Sequence, residues 1–167
     1  MLKSRFTAAA GLVLLAASNL PAQQPATQIT RAQGTIKVDA VLDDAGWAGA
    51  DRIKSFVEYE PREGAEPPVV TEVMLKYDDE NVYVAFIAHD PNPNAIRATL
   101  QPRDRFWSTD DWIGVMLNPH GDASVAYFFA ANPLGVQGDM QMTTSSEDES
   151  IDFIYKAEGK VTAEGYI

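Results

Sequence analysis

The sequence contains no cysteine and only two histidines among its 167 residues. Without cysteine no disulfide can form, so an exported form of the chain would be held by its core alone or with the help of a bound ion. The two histidines, His89 and His120, lack the spacing of a zinc site. A transition-metal centre is therefore not expected.

Basic residues are also scarce. The chain has 13 Lys and Arg residues against 24 Asp and Glu residues, which gives a net charge of −11. Such a domain repels nucleic acid and anionic membrane surfaces. The charge instead favours cations, including Ca²⁺, or neutral polar molecules as ligands.

Sequence signatures of catalysis are absent. There is no Gly-x-Ser-x-Gly, no His-Glu-x-x-His and no glycine-rich phosphate loop. Two carboxylates can hydrolyse a glycoside, and the chain has many, but they fall in turns and such pairs arise by chance in an acidic sequence. We predict that this chain is not an enzyme, although a longer parent protein could be a glycoside hydrolase.

The first 22 residues have the features of a secretory signal peptide. Lys3 and Arg5 precede an apolar run over 8–17, and the small residue Ala22 marks the predicted cleavage site. The run is too short for a permanent membrane span, although an uncleaved anchor is the alternative. Cleavage would leave 11 basic and 24 acidic residues, a net charge of −13. We expect export to the periplasm, outer membrane or exterior of a Gram-negative bacterium.

Residues 23–33 are rich in Gln, Ala and Thr and are predicted to be a flexible leader, so the folded domain would cover 34–167. Two pairs of β-branched and aromatic segments, 69–78 with 82–90 and 112–119 with 124–133, predict two hairpins. Further short strands are predicted over 36–38, 55–59, 136–142, 151–157 and from 161 onward. The spacing favours an all-β, antiparallel, jelly-roll-like β-sandwich, with its final strand cut at Ile167.

Four segments carry a resemblance to family 9 carbohydrate-binding modules. They are IKVDAVLDDAGWAGA (36–50), VMLKYDDENVYVAFIAHDP (73–91), STDDWIGVMLNP (108–119) and AYFFAANPLGVQGD (126–139). The last is similar to a branch of envelope proteins in which this domain precedes a predicted outer-membrane β-barrel. Two positions depart from the family pattern: Gly114 stands for Glu and Asn118 for Asp. The resemblance implies non-covalent sugar binding between two Trp rings, with bound calcium.

The segment FWSTDDWIGVMLNP (106–119) contains the candidate sugar site. If Ile113 and the alternate residues after it point into the sandwich, Trp112 points outward. An indole face packs on a sugar ring, while hydroxyls need charged or amide groups. The candidate carbohydrate-binding residues are Trp107, Trp112, Arg105, Asp110 and Asp111. The alternative is that one or both Trp residues only pack against the protein, as is predicted for Trp47 in the core.

Aspartates at the ends of the first hairpin are candidate calcium ligands, because Ca²⁺ prefers carboxylate oxygens. These are Asp78, Asp79 and Asp90, with Asp110 and Asp111 as a further pair. The alternative is that they are ordinary turn residues. The acidic run 145–152 is predicted to be a solvated loop. Two other functions stay open: an interaction domain of an outer-membrane barrel protein without a sugar site, and an accessory module of a glycoside hydrolase.

Overall fold

The computed structural model describes residues 27–121 and 124–167, and the predicted signal peptide lies outside the described residues. These residues form an all-β structure whose longest helices are three-residue 3-10 turns. The strands are β1 Thr30–Arg31, β2 Val70–Tyr77, β3 Val82–His89, β4 Ile113–Leu117, β5 Val125–Ala131, β6 Gln137–Thr143, β7 Glu147–Asp148, β8 Val161–Thr162 and β9 Gly165–Tyr166. The 3-10 turns are Ala45–Trp47 and Pro93–Ala95.

The strands form two sheets, which confirms the predicted sandwich. The first sheet has the order β1-β2-β3-β9-β8, and the second has the order β4-β5-β6-β7. All neighbours are antiparallel except β1 and β2. Thr30 and Arg31 fall within the predicted flexible leader, so part of that leader belongs to the first sheet.

Both predicted hairpins are present. β2 pairs with β3 along all eight residues, and Val73 and Leu75 lie opposite Phe86 and Val84 on one face, as expected from the alternation. β4 and β5 pair over five residues. These segments form hairpins because each is a β-branched and aromatic run bounded by Asp, Asn and Gly turn residues.

A core cluster covers one face of the first sheet. Trp47 is buried there with Ile36, Met74 and Ala85, which confirms its predicted core role. Trp47 is the last residue of the 3-10 turn Ala45–Trp47. Asp44 begins this turn without a side-chain cap; its carboxylate instead accepts a hydrogen bond from the Lys37 backbone N–H at 2.7 Å.

Three predicted strands are absent from the described structure. Residues 36–38 and 55–59 do not join a sheet, although Ile53 forms an isolated bridge with Val73. Residues 151–157 also lack strand pairing; they run across the second sheet, where Phe153 packs on Tyr127 and Phe129. The single strand predicted from 161 onward is the short β8–β9 hairpin.

Candidate ligand-binding site

The two candidate tryptophans lie together on the outer face of the second sheet. Phe106 anchors the loop before β4: it is fully buried, and Thr109 and Asp110 donate backbone hydrogen bonds to its carbonyl at 3.0 Å each. The ring of Trp107 lies 4.6 Å from that of Phe106 and 5.5 Å from that of Trp112, centroid to centroid. The structure therefore brings the predicted pair into contact.

The pair does not form a clamp. The Trp107 and Trp112 rings meet edge to face at 88°. A sugar held between two indole faces needs parallel rings about 7–8 Å apart, since each carbon contact takes about 3.5–4 Å. Trp107 also buries its Nε1 atom, which has no hydrogen-bond partner among the described residues. Trp107 therefore acts as a packing residue behind Trp112.

Trp112 is the exposed member of the pair, with 41% of its surface accessible. Its Nε1 donates a hydrogen bond to the Trp107 carbonyl at 3.3 Å. Its ring also meets Phe128 edge to face at 5.8 Å. These contacts fix the orientation of the indole while one side faces solvent.

The ring of Phe128 fills the space beside Gly114. A Cβ atom at position 114 would lie 2.6 Å from Phe128 Cζ, so glycine is required by the packing of that ring. Phe128 pairs with Met116 across β4 and β5. The surface beside Trp112 is therefore an apolar continuation through Phe128 to the exposed Met116, rather than an open slot.

Asp110 is a buried support of the loop. It is 4% exposed and accepts hydrogen bonds from Thr99 N and Oγ1, Gln101 Nε2 and Asn132 Nδ2 at 2.8–3.1 Å. Burial alone would raise the pKa of Asp110, but the bonds from Thr99 and Asn132 lower it to about 2. Both carboxylate oxygens of Asp110 therefore already accept hydrogen bonds from within the protein.

Asp111 and Arg105 differ from Asp110 in exposure. Asp111 is half-buried and binds Arg97 through the backbone N–H at 3.0 Å and Nη2 at 3.0 Å. Burial, with the negative charges of Asp111 and Asp90, raises the pKa of Tyr166 to about 12. Arg105 is exposed, and in the described ranges it makes no hydrogen bond or ion pair.

The candidate calcium ligands of the first hairpin lie at opposite ends of β3. The Asp78 carboxylate accepts hydrogen bonds from Glu80 N, Asn81 N and Tyr83 Oη, and these bonds lower the pKa of Asp78, that from Tyr83 most of all. Asp79 pairs with Arg31. Asp90 follows β3, and its carboxylate accepts the N–H of Asn92. Eight strand residues span about 26 Å, so Asp90 cannot share an ion with the other two.

A different acidic cluster was not anticipated from the sequence. Asp104, Asp139 and Asp152 place carboxylate oxygens within 4.8 Å of one another and could hold a metal ion. Arg103 lies among them: it pairs with the fully buried Asp139, and its Nε lies 3.1 Å from Asp152 and 3.7 Å from Asp104. Arg103 supplies one positive charge among the three carboxylates of this cluster.

Asp104 also connects the loop to the edge of β6. Its backbone N–H donates to Gln137 O at 3.1 Å, and its carboxylate accepts the N–H of Asp139 at 2.9 Å. This geometry places Asp104 at φ 62°, in the left-handed region that Asp tolerates better than most residues. Burial and the nearby charge of Asp139 raise the pKa of Asp104. In the acidic run 145–152, every residue except the half-buried Ile151 is exposed.

Gly138 packs directly against Phe106 and Trp107 of the loop before β4. A Cβ atom there would lie 2.7 Å from both Phe106 Cζ and Trp107 Cζ2. Gly138→Ala should therefore destabilise the chain by about 1–3 kcal/mol through overpacking. Urea unfolding measures the effect, with Gly34→Ala as the control, because its Cβ would meet nothing closer than 3.4 Å. Equal, small effects of the two substitutions would contradict this packing.

Comparison with protein-family models, with curated proteins and with solved structures returned no match. The resemblance to family 9 modules therefore stays a prediction from sequence motifs. Among residues 27–121 and 124–167, no helix combines the length and apolar character that crossing a bilayer requires.

Proposed function

We propose that this chain is a non-catalytic carbohydrate-binding domain in which Trp112 stacks on one face of a sugar ring. The observation that carries the proposal is an indole that is 41% exposed and yet held by a hydrogen bond and two edge-to-face ring contacts. A side chain ordered before binding loses little conformational entropy when a ligand arrives. A flat apolar face of this kind suits the C–H face of a sugar.

The polar part of the proposed site lies in the loop that carries both tryptophans. Arg105 and Ser108 are exposed and could bind sugar hydroxyl groups. Asp110 and Asp111 are assigned a supporting role, because their carboxylates already bind Thr99 and Arg97. A single aromatic platform with few polar contacts supports weak binding, with a Kd of about 1 mM or about −4 kcal/mol.

The absence of catalysis is part of the proposal. A general acid for glycoside cleavage needs a raised pKa near the working pH, as a protonated carboxyl group. Asp110 has a pKa of about 2 and would be ionised at neutral pH. Asp111, its neighbour in sequence, is paired with Arg97. These features support binding without bond cleavage.

Calcium and export complete the proposal. The cluster of Asp104, Asp139 and Asp152 offers only oxygen ligands, which favours Ca²⁺ over a transition metal. An ion there would compete with Arg103 for the same carboxylates. Export rests on the N-terminal sequence, and the expected place is the bacterial envelope or exterior.

Replacing Trp112 tests the sugar platform. Titration of the full chain with xylo-, cello- and manno-oligosaccharides should give a saturable change in tryptophan fluorescence for at least one series. Trp112→Ala should weaken that binding at least tenfold by calorimetry, because the stacking surface is lost. Its stability should change by less than about 1 kcal/mol, since the ring is partly solvated.

Met116→Ala is the matched control, because Met116 is an exposed apolar residue on the same face of β4. It should leave sugar binding unchanged. No saturable response to any of the three oligosaccharide series, or equal binding by the Trp112→Ala variant, would contradict the proposed platform.

The surface running from Trp112 through Phe128 to Met116 favours a second candidate function. Exposed, contiguous apolar groups also mark protein-contact surfaces. In that case the chain is an interaction domain without a sugar site. Both Trp112→Ala and Met116→Ala would then weaken binding to the protein partner, whereas the oligosaccharides would have no effect.

A further inference from the structure

The face of the second sheet that carries Trp112 is apolar along all three of its long strands. The even-numbered residues of β4, β5 and β6 share this face, because the register pairs Met116 with Phe128 and Phe128 with Met140. They are two glycines, two alanines, three methionines and one phenylalanine. Within β4, β5 and β6 this face therefore offers no hydroxyl, amide or charged side chain to a ligand.

The part of this face nearest the indole is open to solvent. The ring of Phe128 lies 5.8 Å from that of Trp112, centroid to centroid, and is half-buried. Met116 is the cross-strand partner of Phe128 and is 52% exposed. Side chains of such a pair contact each other. A short group attached to a sugar on Trp112 therefore reaches Phe128 first and then Met116.

Polar groups approach Trp112 from the loop before β4. Trp112 Nε1 donates to the carbonyl of Trp107 at 3.3 Å, and this carbonyl belongs to the peptide bond that precedes the exposed Ser108. Arg105 is exposed in the same loop. A ligand on the indole thus meets hydrogen-bonding groups toward the loop and apolar groups toward Met116.

An unsubstituted sugar uses only the loop side of this surface. Hydroxyl groups placed over Phe128 and Met116 would lose water without gaining a hydrogen-bond partner, which costs free energy. An apolar group in the same place is favoured, because it buries carbon surface on both sides. The ligand that fits both sides is a sugar with one apolar substituent.

Charge restricts the substituent further. Asp110 and Asp111 directly precede Trp112, and the exposed Glu147 of β7 lies opposite Met142 at the other end of the same face. The whole chain has a net charge of −11. A carboxylate, sulfate or phosphate on the sugar would be repelled, so the substituent is uncharged.

We propose that the sugar bound on Trp112 carries a short uncharged apolar substituent, an acetyl or aryl group, which packs on Phe128 and Met116; this assignment depends on the sugar platform proposed above. Met116 then determines specificity, since it contacts the substituent and not the stacked ring. Its flexible thioether adapts to either kind of group and makes favourable contacts with aromatic rings.

Matched pairs of glycosides test the substituent on the full chain. The methyl and phenyl β-glycosides of glucose, xylose and mannose differ within each pair only in the aglycone. Cellotriose and tri-N-acetylchitotriose differ only in their acetamido groups. By calorimetry the substituted member of at least one pair should bind about tenfold tighter, or by about 1.4 kcal/mol. A preference in the phenyl pairs identifies an aryl group, and one in the acetamido pair identifies an acetyl group.

Variants locate the contact. Met116→Ala should reduce the preference to less than about threefold, because most of the apolar contact is removed, and it should leave the affinity for the methyl glycosides unchanged. Leu117→Ala is the matched control: Leu117 follows Met116 on β4 and is 40% exposed, but it points to the opposite face, so its loss should keep the preference. Trp112→Ala should weaken the binding of both members of each pair.

Equal affinities within every pair would overturn the assigned substituent and leave the sugar platform intact. A preference that persists in Met116→Ala but is lost in Leu117→Ala would place the substituent on the wrong face of β4 and would also overturn it. The same holds if Trp112→Ala retains tight binding of the phenyl glycosides, because the aryl group would then bind elsewhere. If no glycoside binds, substituted or not, the platform itself is wrong and the assignment fails with it.

Discussion

Replacing Arg103 with methionine should lower the free energy of unfolding by about 3–5 kcal/mol. Arg103 is the cation that faces the fully buried Asp139, and it also donates to Gln137 Oε1 at 2.8 Å and to Phe153 O at 2.9 Å. Its guanidinium lies 5.2 Å from the ring centre of Tyr155. Methionine keeps part of the side-chain volume but leaves a buried carboxylate without its partner. Chemical denaturation measures the loss.

Arg97→Met is the matched control for this charge effect. Arg97 pairs with Asp111, but 63% of its side chain is exposed, and exposed ion pairs contribute little. Its loss should cost no more than about 1 kcal/mol. Equal costs at positions 97 and 103 would show that Arg103 does not stabilise the buried cluster.

The Arg103→Met variant also tests whether Arg103 and Ca²⁺ compete for the same carboxylates. With Arg103 removed, Asp104, Asp139 and Asp152 are free to bind Ca²⁺, so millimolar calcium should raise the melting temperature of Arg103→Met. A chelator should reverse that rise. If the wild-type protein also loses stability on chelation, calcium is bound together with Arg103, and the simple competition between them is wrong.

Replacing Asp110 with alanine should cost about 3–4 kcal/mol, because several donors lose one buried acceptor. Asp110 connects residues that are distant in sequence, from Thr99 to Asn132. Asp111→Ala is the control from the adjacent position and should cost about 1 kcal/mol, since its partner Arg97 is exposed. Urea unfolding of both variants measures the difference; a reversed order would contradict the network.

The ionisation of Asp110 also predicts acid sensitivity. Asp110 has a pKa of about 2, and hydrogen bonds from Arg52 and Lys54 lower the pKa of Glu72 to about 2 as well. Both values lie below the usual pKa of about 4 in an unfolded chain. Their stabilisation is therefore complete above about pH 4 and is lost as the pH falls toward 2. Asp110→Ala should show a shallower decline over this range.

The hairpins could be predicted because the residues that specify them lie close together in the sequence. The runs over 70–77 and 82–89 alternate correctly, and the turn between them is rich in Asp and Asn, so pairing needs no distant partner. The burial of Trp47 followed from its apolar neighbours in the same way. These features depend on residues within one short stretch of chain.

The segment 151–157 shows why alternation alone was misleading. Its odd-numbered residues are more buried than the even-numbered ones, as in a strand. However, its backbone binds side chains rather than a neighbouring strand: Phe153 N donates to Asp139, and Tyr155 O accepts from Gln137 Nε2. Nothing in a single segment of sequence indicates that its partners are side chains.

The candidate site was predictable in its aromatic part only. Trp112 was expected to point outward from the pattern of β4, and it does. The perpendicular packing on Trp107 could not be foreseen, because it depends on Phe128 and Gly138 from other strands. The hydrogen bonds of the Asp110 carboxylate could not be foreseen, since its partners Thr99 and Asn132 lie far from it in sequence.

The position of Asp104 beside β6 has a consequence for solubility. A strand at the margin of a sheet can recruit strands from other molecules and start aggregation. Asp104 occupies Gln137 O and Asp139 N on β6, so one residue takes the place of a neighbouring strand. This margin of the second sheet is thereby protected from the intermolecular β-pairing that leads to fibrils.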